Sequence, residues 1–352
     1  MSKPETMNAC VLHAVGDLRY KTVPVPARKP GEVLLKVMAS GICGSDIPRV
    51  FEKGTYRFPT IPGHEFAGVV VDADSPELVG LRAAVFPLLP CKQCEACRSE
   101  RYAQCGDYNY FGSRCDGGFA EFIAVPEWNL VPMPDGLGFD EAAMCEPAAV
   151  ARHAAGVGGV GEGDAVAIFG AGPVGLMVAQ WARSMGAAKV MLADIDRYKV
   201  EFAVGMGYAA VNSRETDAVA WIRQETGGRG ADVCVEGSGS PKAWEQCLDA
   251  AAAFGRAVLM GNPSGEMRLS QKGYWHILRK ELTLRGTWNS SYGSGANDWR
   301  EAMGAMGDGR LAVKPLISHR YPLARCGEAF AMMRERSCFF NKVLFTMGED
   351  EL

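Results

Sequence analysis

The twelve cysteines of the chain are unevenly distributed, and four of them fall in the single stretch CKQCEACRSERYAQC. Four thiolates at C-x2-C-x2-C-x7-C spacing can converge tetrahedrally on one zinc ion and close it to water. A reactive dithiol pair is the alternative, but four clustered thiols exceed what a dithiol needs. The pattern therefore predicts a structural zinc site made by Cys91, Cys94, Cys97 and Cys105.

A second set of metal-binding side chains is scattered over the same region. GICGSD supplies Cys43, PGHEFAG supplies His64 and Glu65, and MCEPAAV supplies Glu146. One thiolate, one imidazole and one carboxylate leave a fourth zinc position open for water or substrate, as a catalytic site requires. Each residue alone has an ordinary alternative, because buried cysteines and core histidines are common. Their combination with the four-cysteine cluster favours a catalytic metal.

The stretch AVAIFGAGPVG carries a G-x-G-x-x-G pattern after an apolar run and before an amphipathic one. In that context backbone N–H groups and a helix N-terminus can bind the pyrophosphate of a dinucleotide. The predicted cofactor loop consists of Gly170, Gly172, Pro173, Val174 and Gly175. GVGGVG at residues 156–161 matches the same pattern, but no apolar strand precedes it. We interpret it as a flexible interdomain turn.

The next apolar run, KVMLAD, ends at Asp194. This is about 20 residues past the glycines, where a carboxylate binds the ribose hydroxyls of NAD. A carboxylate there repels the 2′-phosphate of NADP, although Arg197 nearby can tolerate one. The sequence therefore favours NAD over NADP. The alternative is that Asp194 only caps the end of its strand.

The elements that must position these groups fall into two parts. Residues before about 150 form short β-branched runs ended by Gly and Pro, which predicts a β-rich, barrel-like domain. From about 155 apolar runs alternate with helical stretches, which predicts an α/β domain with a doubly wound parallel sheet. The predicted domains are a catalytic domain at 1–153 with the structural zinc lobe at 91–105, a dinucleotide-binding domain at 154–290, and a segment at 291–352 that returns to the catalytic domain.

The composition argues against several classes of protein. Among 352 residues, 37 Lys and Arg are set against 41 Asp and Glu, for a net charge of −4. That balance argues against binding to nucleic acid or to anionic membranes. No apolar run reaches the ~20 residues of a membrane helix, and the first residues lack the apolar core of a signal peptide. We expect a cytoplasmic protein whose thiols stay reduced.

These motifs occur together in the order of a known family. GICGSD, PGHEFAGVV, the four-cysteine lobe, GGFAEF, CEPAAVA and GAGPVGL resemble the zinc-containing medium-chain dehydrogenase/reductase family across essentially the whole chain. The resemblance implies a GroES-like β-barrel domain and a Rossmann domain, with the active site in the cleft between them. CEPAAV resembles the polyol, or sorbitol-dehydrogenase-like, branch. DIPRVFEKG, FGSRCDGGFAEF, ILRKELTLRGTWN and PLISHR resemble members of that branch that act on a polyol phosphate.

The resemblance implies two zinc ions per chain. Cys43 and His64 would bind the catalytic ion, Glu146 would bind it directly or through water, and Glu65 would exchange with Glu146 or orient the site. The four clustered cysteines would hold the structural ion. A Lewis-acidic ion eases loss of a hydroxyl proton, and a nicotinamide accepts the hydride. Such enzymes also form homo-oligomers, here a dimer or tetramer through residues 282–288.

The released proton needs a route to solvent. Ser45 lies two residues after Cys43 and is a candidate relay; a serine that caps the following turn is the alternative. Several relatives keep a histidine at or near the position of Pro48. Proline cannot ionise, so we expect the route to run through water or the cofactor ribose.

Basic side chains give the first indication of a substrate. Arg49 and Lys53 lie four residues apart just after Cys43, and Arg114 lies in the loop FGSRCDGG. Clustered cationic groups suit a phosphate, so we expect a sugar-alcohol phosphate that is oxidised at a secondary hydroxyl. A neutral polyol or another secondary alcohol is the alternative. Further candidates for the substrate pocket are Asn289, Tyr56, Phe111 and Trp288.

Other classes fit the sequence less well. A zinc-ribbon binding module would need a basic face, which the net charge argues against. A zinc-free quinone reductase of the same superfamily would lack Cys43, His64 and the four-cysteine lobe. A catalytically inactive relative kept as a binding protein stays open at this point.

Overall fold

A computed structural model of the chain describes residues 4–347. Its strands are β1 Thr6–Ala14, β2 Asp17–Pro24, β3 Glu32–Ile42, β4 Glu65–Asp72, β5 Arg82–Val85, β6 Leu88–Leu89, β7 Asn109–Tyr110, β8 Phe122–Pro126, β9 Leu130–Pro132, β10 Ala165–Phe169, β11 Lys189–Asp194, β12 Ala209–Asn212, β13 Ala231–Glu236, β14 Ala251–Leu259, β15 Thr283–Gly286, β16 Ile317–Pro322 and β17 Lys342–Thr346. Its helices are α1 Asp46–Pro48, α2 Glu95–Arg98, α3 Phe139–Ala142, α4 Cys145–Val157, α5 Pro173–Ser184, α6 Arg197–Gly205, α7 Ala218–Glu225, α8 Pro241–Ala250, α9 Gln271–Lys280, α10 Asp298–Gly307 and α11 Cys326–Glu335.

The chain divides into two compact units. Unit 1 takes in the residues up to Glu146 and those from Ser291 onward, and unit 2 is Pro147–Ser290. Residue 153, where the sequence analysis places a domain boundary, lies inside α4. Among the described residues no helix is both long and apolar enough to cross a membrane.

Unit 2, all of which is described, is built on a parallel sheet with the strand order β12-β11-β10-β13-β14-β15. The order reverses between β10 and β13, which is the switch point of a doubly wound Rossmann sheet. All five residues of β10, AVAIF, are buried. A continuous apolar strand is expected in a parallel sheet because helices cover both of its faces. This confirms the doubly wound sheet predicted from the alternation of apolar and helical runs.

The GVGGVG stretch does not join the two units. It begins at the C-terminal end of α4 and lies entirely inside unit 2, with Gly159 in the left-handed region at a φ of +61°. The expectation of an interdomain turn was therefore wrong. A dinucleotide phosphate loop follows a strand, whereas this stretch follows a helix, so it is not the phosphate loop.

Unit 1 is a largely antiparallel β-domain centred on β3. Within the described residues its main sheet has the order β16-β17-β3-β4-β5-β9, and β8 also pairs with β3. Strand β17 pairs antiparallel with β3, so that Val343 faces Ile42. Phe119, Phe330 and Phe345 pack edge to face in its core, with ring centroids 4.9 to 6.0 Å from Phe119. The C-terminal segment thus completes the sheet that carries the site described next.

Candidate metal centres and dinucleotide loop

Three of the predicted catalytic ligands converge in unit 1. One ligand atom from each of Cys43, His64 and Glu65 lies within 4.8 Å of the others. Cys43 directly follows β3, and Glu65 begins the neighbouring strand β4, paired with Gly41 across the ladder. The register of this pair therefore brings together side chains that lie far apart in the sequence.

Glu65 is also paired with a buried lysine that the sequence analysis did not identify. The ammonium group of Lys342, in β17, contacts the Oε2 atom of Glu65, and both residues are almost fully buried. A Cβ at Gly41 would lie 2.2 Å from Glu65 Oε2 and 2.9 Å from Lys342 Cε. Glycine is required at residue 41 because these two side chains cross over its backbone.

A second buried carboxylate orients the imidazole. Asp46 has no exposed surface, and its Oδ1 atom lies 3.7 Å from His64 Nδ1. Its Oδ2 atom accepts the Cys43 backbone N–H at 3.0 Å. Metal-binding histidines usually direct one ring nitrogen at such a carboxylate and bind the ion through the other. Asp46 therefore holds the loop of Cys43 by a hydrogen bond and faces Nδ1 of His64, an arrangement that leaves Nε2 for a metal.

Glu146 lies near this cluster but outside the tight group of three. It sits in the first turn of α4, is 8% exposed, and accepts a hydrogen bond from the Tyr110 hydroxyl at 3.3 Å. The ring of Tyr110 also packs against His64, with centroids 5.7 Å apart. Tyr110, in the short strand β7, is a second residue that the sequence analysis missed, because a single tyrosine carries no metal-binding signal.

The titrating groups of the site show why it suits a cation. Burial and then repulsion from Glu65 raise the pKa of the Cys43 thiol to about 11. Burial raises the pKa of Glu146 to about 8, with His64 opposing the rise and Glu65 and Cys43 adding to it. Burial alone would lower the pKa of Lys342, but attraction to Glu65 and Cys43 raises it overall.

The donor set fits zinc. A divalent ion stabilises a thiolate and lowers the pKa of the acidic groups around it. It would therefore relieve the repulsion among these buried acids. The Glu65 Oε2 atom is buried and has no hydrogen-bond donor among the described residues apart from its ion pair with Lys342, so it can also bind a cation. One thiolate, one imidazole and one carboxylate match the ligand set of an open zinc site. Cys43, His64 and Glu65 would hold the ion, with Glu146 beside them.

The predicted structural zinc site is also assembled. Sulfur atoms of Cys91, Cys94, Cys97 and Cys105 lie within 4.8 Å of one another. The Cys94–Cys97 sulfur distance is 3.5 Å, and the Cys94 backbone N–H points at Cys91 Sγ. Hydrogen bonding from the Cys97 backbone helps to lower the pKa of Cys94 to about 6, which favours a thiolate, whereas burial raises the pKa of Cys97 to about 12, so that thiol would ionise only with a bound cation.

The lobe has apolar support that its polar sequence did not indicate. Trp128 packs edge to face on Tyr102, within the lobe, with ring centroids 5.1 Å apart. Tyr292 stacks on Phe86 at 4.2 Å and donates a hydrogen bond to the Trp128 carbonyl. Trp299 completes the cluster against Phe86. These rings, here called the aromatic bed, come mostly from outside the lobe, so no pattern within residues 91–105 could reveal them.

The glycine loop of unit 2 has the close approach that its motif predicts. Gly170 has a φ of +117°, and a Cβ at Gly175 would lie 2.0 Å from the Gly170 carbonyl oxygen. Helix α5 begins at Pro173, directly after Gly172. Asp194, at the end of β11, accepts the Ala171 N–H through Oδ2 at 2.7 Å. The carboxylate expected to bind ribose therefore also holds the loop in place.

Two cationic side chains lie close to this loop. Arg197 is exposed and pairs with Glu201 at 3.4 Å on its own helix. The ammonium group of Lys199 lies beside the loop, 4.0 Å from the point where a Cβ of Gly172 would be. Lys199 was not identified from the sequence, because a lysine on the outer face of a helix is usually solvated.

The predicted substrate residues have different surroundings. Arg49, in the single π-helical turn that follows α1, forms an ion pair with Asp46. Lys53 ends that turn and is exposed. Arg114 lies between the rings of Tyr56 and Tyr108, 4.4 Å from each centroid. A cavity of about 530 Å³ is lined by Tyr56, Leu89, Cys91, Gln93, Asp107, Tyr108, Asn109 and Arg114.

The remaining candidates lie elsewhere. Asn289 is in unit 2, has a φ of +60°, and accepts a hydrogen bond from the Ser290 hydroxyl at 3.4 Å. Phe111 belongs to the core of unit 1, packed edge to face on Phe66, so it does not line that cavity. Ser45 directly precedes α1 without a side-chain capping bond, and its side chain helps to oppose the rise in the pKa of the Cys43 thiol.

Comparison with known proteins agrees with this geometry. The alcohol dehydrogenase GroES-like domain matches residues 29–135, and the zinc-binding dehydrogenase domain matches residues 173–307. Galactitol 1-phosphate 5-dehydrogenase of Escherichia coli K12 is 34% identical over 323 residues, covering 89% of this chain and 92% of that protein. Sorbitol dehydrogenase of Bacillus subtilis is 34% identical over 336 residues, covering 93% of each. The crystal structure of galactitol-1-phosphate dehydrogenase from Escherichia coli matches with a TM-score of 0.91 at 32% identity, covering 97% of this chain and all of that one.

The chain therefore belongs to the zinc-containing medium-chain dehydrogenase/reductase family, in its polyol branch. It is an oxidoreductase of the zinc-dependent polyol or alcohol dehydrogenase type, a class that uses zinc and a nicotinamide cofactor. The GroES-like and Rossmann folds expected from the sequence are confirmed. The family assignment fixes the reaction class, and the substrate has to be argued from the site.

Proposed function

We propose that the protein oxidises a secondary hydroxyl of a sugar-alcohol phosphate, similar to galactitol 1-phosphate, to the ketose phosphate. The balanced reaction is R₂CHOH + NAD⁺ → R₂C=O + NADH + H⁺. The observation that carries the proposal is the convergence of Cys43, His64 and Glu65 in the same unit as the Arg114 cavity. The similarity to galactitol 1-phosphate 5-dehydrogenase supports it.

The residues of the catalytic site have distinct proposed roles. Zinc, when bound by Cys43, His64 and Glu65, supplies Lewis-acid chemistry that favours loss of the hydroxyl proton. Asp46 holds the His64 ring, because its carboxylate lies beside Nδ1. Ser45 is the proposed first acceptor of the proton, since it lies two residues after Cys43 and its side chain lowers the pKa of that thiol.

We assign phosphate binding to Arg114 rather than to Arg49. Arg49 already pairs with the buried Asp46, so its charge is compensated. Arg114 is held by the faces of Tyr56 and Tyr108, while one of its N–H groups donates to the Tyr108 carbonyl at 3.2 Å. A guanidinium stacked in this way keeps a planar fork of N–H donors available for phosphate oxygens. Lys53 and Asn289 stay candidates for contacts to the rest of the substrate.

We propose NAD as the cofactor. Asp194 places a carboxylate at the end of β11, which suits ribose hydroxyls and repels a 2′-phosphate. Arg197 is engaged by Glu201, which leaves Lys199 as the nearer cation to the loop. Replacing NAD by NADP in the assay should raise KM at least tenfold, and equal KM values would contradict the assignment.

An unphosphorylated polyol is the second candidate substrate. Sorbitol dehydrogenase of Bacillus subtilis is as similar to this chain as the phosphate-specific relative, at 34% identity. Only one of the three basic residues predicted to bind phosphate, Arg114, lines the described cavity. We further propose a homo-oligomer, and a cytoplasmic location, which suits twelve cysteines, all within the described residues, none of which is paired in a disulfide.

A substrate screen with a matched variant tests the proposal. Initial rates of NAD reduction are measured with phosphorylated and free hexitols, for the wild type and for Arg114→Gln. We expect the wild type to prefer a hexitol phosphate, and the variant to raise its KM about tenfold, or about 1.4 kcal/mol, with kcat little changed.

The control variant is Arg183→Gln, which removes an arginine stacked on Tyr208 in unit 2 and should leave both constants unchanged. If free galactitol or sorbitol reacts as fast as any phosphate ester, the unphosphorylated-polyol function replaces the phosphate one. If no polyol of either kind is oxidised, the proposed substrate class is wrong.

A further inference from the structure

We infer that Glu236 is a positioning residue for the nicotinamide half of the bound dinucleotide, an inference that rests on the proposed dehydrogenase function. Glu236 is the last residue of β13 and is 1% exposed. A buried carboxylate is costly unless it is fully hydrogen-bonded. Its partners therefore show what the carboxylate stabilises.

All the described side-chain hydrogen bonds of Glu236 go to the loop that follows its own strand. Its Oε1 atom accepts the Ser238 backbone N–H at 2.8 Å, the Ser238 hydroxyl at 2.7 Å and the Gly239 N–H at 2.8 Å. Hydrogen bonds to a charged acceptor are roughly twice as strong as neutral ones. The carboxylate therefore fixes the turn between β13 and α8.

The same turn is tied to the loops on both sides of it. The Gly237 N–H donates to the Phe169 carbonyl at 2.9 Å, next to the glycine loop, and a Cβ at Gly170 would lie 3.2 Å from the Gly237 carbonyl carbon. On the other side, the Ser264 N–H and hydroxyl both donate to the Gly239 carbonyl at 2.9 Å. Glu236 thus orders three loops at the carboxyl ends of β10, β13 and β14.

The position of these loops in the sheet points to their ligand. The strand order reverses between β10 and β13, and a dinucleotide binds across the carboxyl ends of the strands at such a switch point. The half-sheet β10–β12 carries Asp194, which suits the adenosine ribose. The half-sheet β13–β15 carries Glu236, so the turn that it orders faces the other mononucleotide, which holds the nicotinamide.

Direct binding measurements separate this role from a general structural one. Dissociation constants for NADH, by fluorescence, and for AMP, by calorimetry, are compared among the wild type, Glu236→Ala and Glu236→Gln. We expect Glu236→Ala to raise the NADH constant tenfold or more and to leave the AMP constant within twofold. Glu236→Gln keeps an acceptor oxygen for the turn and should recover most of the NADH affinity.

Two further variants keep the test decisive. Ser238→Ala removes one of the three bonds and should weaken NADH binding twofold to fourfold, even if Glu236→Ala fails to fold. Asp232→Ala is the control at the opposite end of β13, where its carboxylate accepts the Ala165 N–H at 2.8 Å. It should lower the melting temperature without changing either dissociation constant.

The outcomes distinguish the inference from the function on which it rests. Unchanged NADH binding in Glu236→Ala and Ser238→Ala, or equal losses for NADH and AMP, would overturn the role of Glu236 alone. A wild type that binds neither NADH nor AMP would instead overturn the dinucleotide-dependent function.

Discussion

At the scale of single residues, the catalytic site depends on charges that are balanced in a buried setting. Glu65 stands between the Cys43–His64 pair and the Lys342 ammonium, with only the glycine backbone of residue 41 beneath it. Removing one partner of a buried ion pair leaves the other charge uncompensated, which costs far more than the pair contributes. The lysine therefore maintains the site before any ion is bound.

Lys342→Met tests this balance. In protein treated with a chelator we expect the free energy of unfolding to fall by about 3–5 kcal/mol, because Glu65 is left buried and unpaired. Zinc should restore more stability to the variant than to the wild type. The control is Lys272→Met, an exposed partner of Asp249, for which the expected loss is about 0–1 kcal/mol. Urea denaturation with and without zinc measures the free energy of unfolding of each variant. Similar losses of that free energy for Lys342→Met and Lys272→Met would contradict the argument.

Cys43→Ala tests the separation of the two metal centres. We expect the zinc content, measured by mass spectrometry, to fall from about two ions per chain to about one, since the lobe cysteines are independent of Cys43. Activity should fall at least ~10³-fold, because Lewis-acid stabilisation is worth several kcal/mol. The control Cys115→Ala removes a half-buried cysteine outside both clusters and should keep both ions. Loss of both ions from Cys43→Ala would show that the centres are coupled.

The sequence predicted the candidate metal ligands, several of which the fold brings together, but it did not predict the residues that support them. Four clustered cysteines, or a Cys and a His in familiar motifs, can be recognised from residue type and spacing alone. Lys342 does not, because its partner Glu65 lies at the other end of the chain and only strand pairing brings them together. Asp46 was missed for a different reason: it is the last residue of the GICGSD motif, but a short polar residue in a turn is usually a cap.

At the scale of elements, the glycine loop and the zinc lobe differ in how far their supporting contacts can be predicted from the sequence. The glycine loop is local, so its spacing predicted the turn, the helix start and the strand before it. The zinc lobe is also local in its ligands, but the aromatic bed beneath it is assembled from Phe86, Trp128, Tyr292 and Trp299. Contacts between distant segments leave no periodic signal within the lobe.

Gly175→Ala tests the close approach in the glycine loop. A methyl group there would lie 2.0 Å from the Gly170 carbonyl oxygen, so either the loop or α5 must move. We expect the dissociation constant for NADH to rise tenfold or more and the melting temperature to fall. Gly205→Ala, at the end of α6 with open space around it, is the control and should be neutral or slightly stabilising. Unchanged NADH binding in Gly175→Ala would contradict the packing argument.

At the scale of the whole molecule, unit 2 presents an unprotected sheet edge. All four residues of β15 are exposed, and it is the last strand in the sheet order of the fully described unit. Exposed apolar side chains accompany this edge and the preceding helix, namely Tyr274, Trp275, Leu278, Leu284 and Trp288. An unpaired strand edge can pair with another chain, and exposed apolar side chains beside it favour such association. This supports the proposed homo-oligomer.

Leu284→Lys tests the association through β15. A charge on this edge strand should oppose pairing with a second copy and shift the protein to a smaller species, as measured by size-exclusion chromatography with light scattering. The control Val204→Lys changes an exposed apolar residue on α6 of the same unit and should leave the mass unchanged. If the wild type is already monomeric, or if both variants behave alike, the edge is not the interface.

The return of the C-terminal segment to unit 1 has a consequence for biosynthesis. The sheet beneath Cys43 lacks β17 and Lys342 until residue 346 has been made, and the aromatic bed under the four-cysteine lobe lacks two of its rings until Trp299. Domains usually fold in the order in which the ribosome releases them. Here unit 2, although second in the chain, is the first to emerge complete, while unit 1 is incomplete until residue 346 has been made.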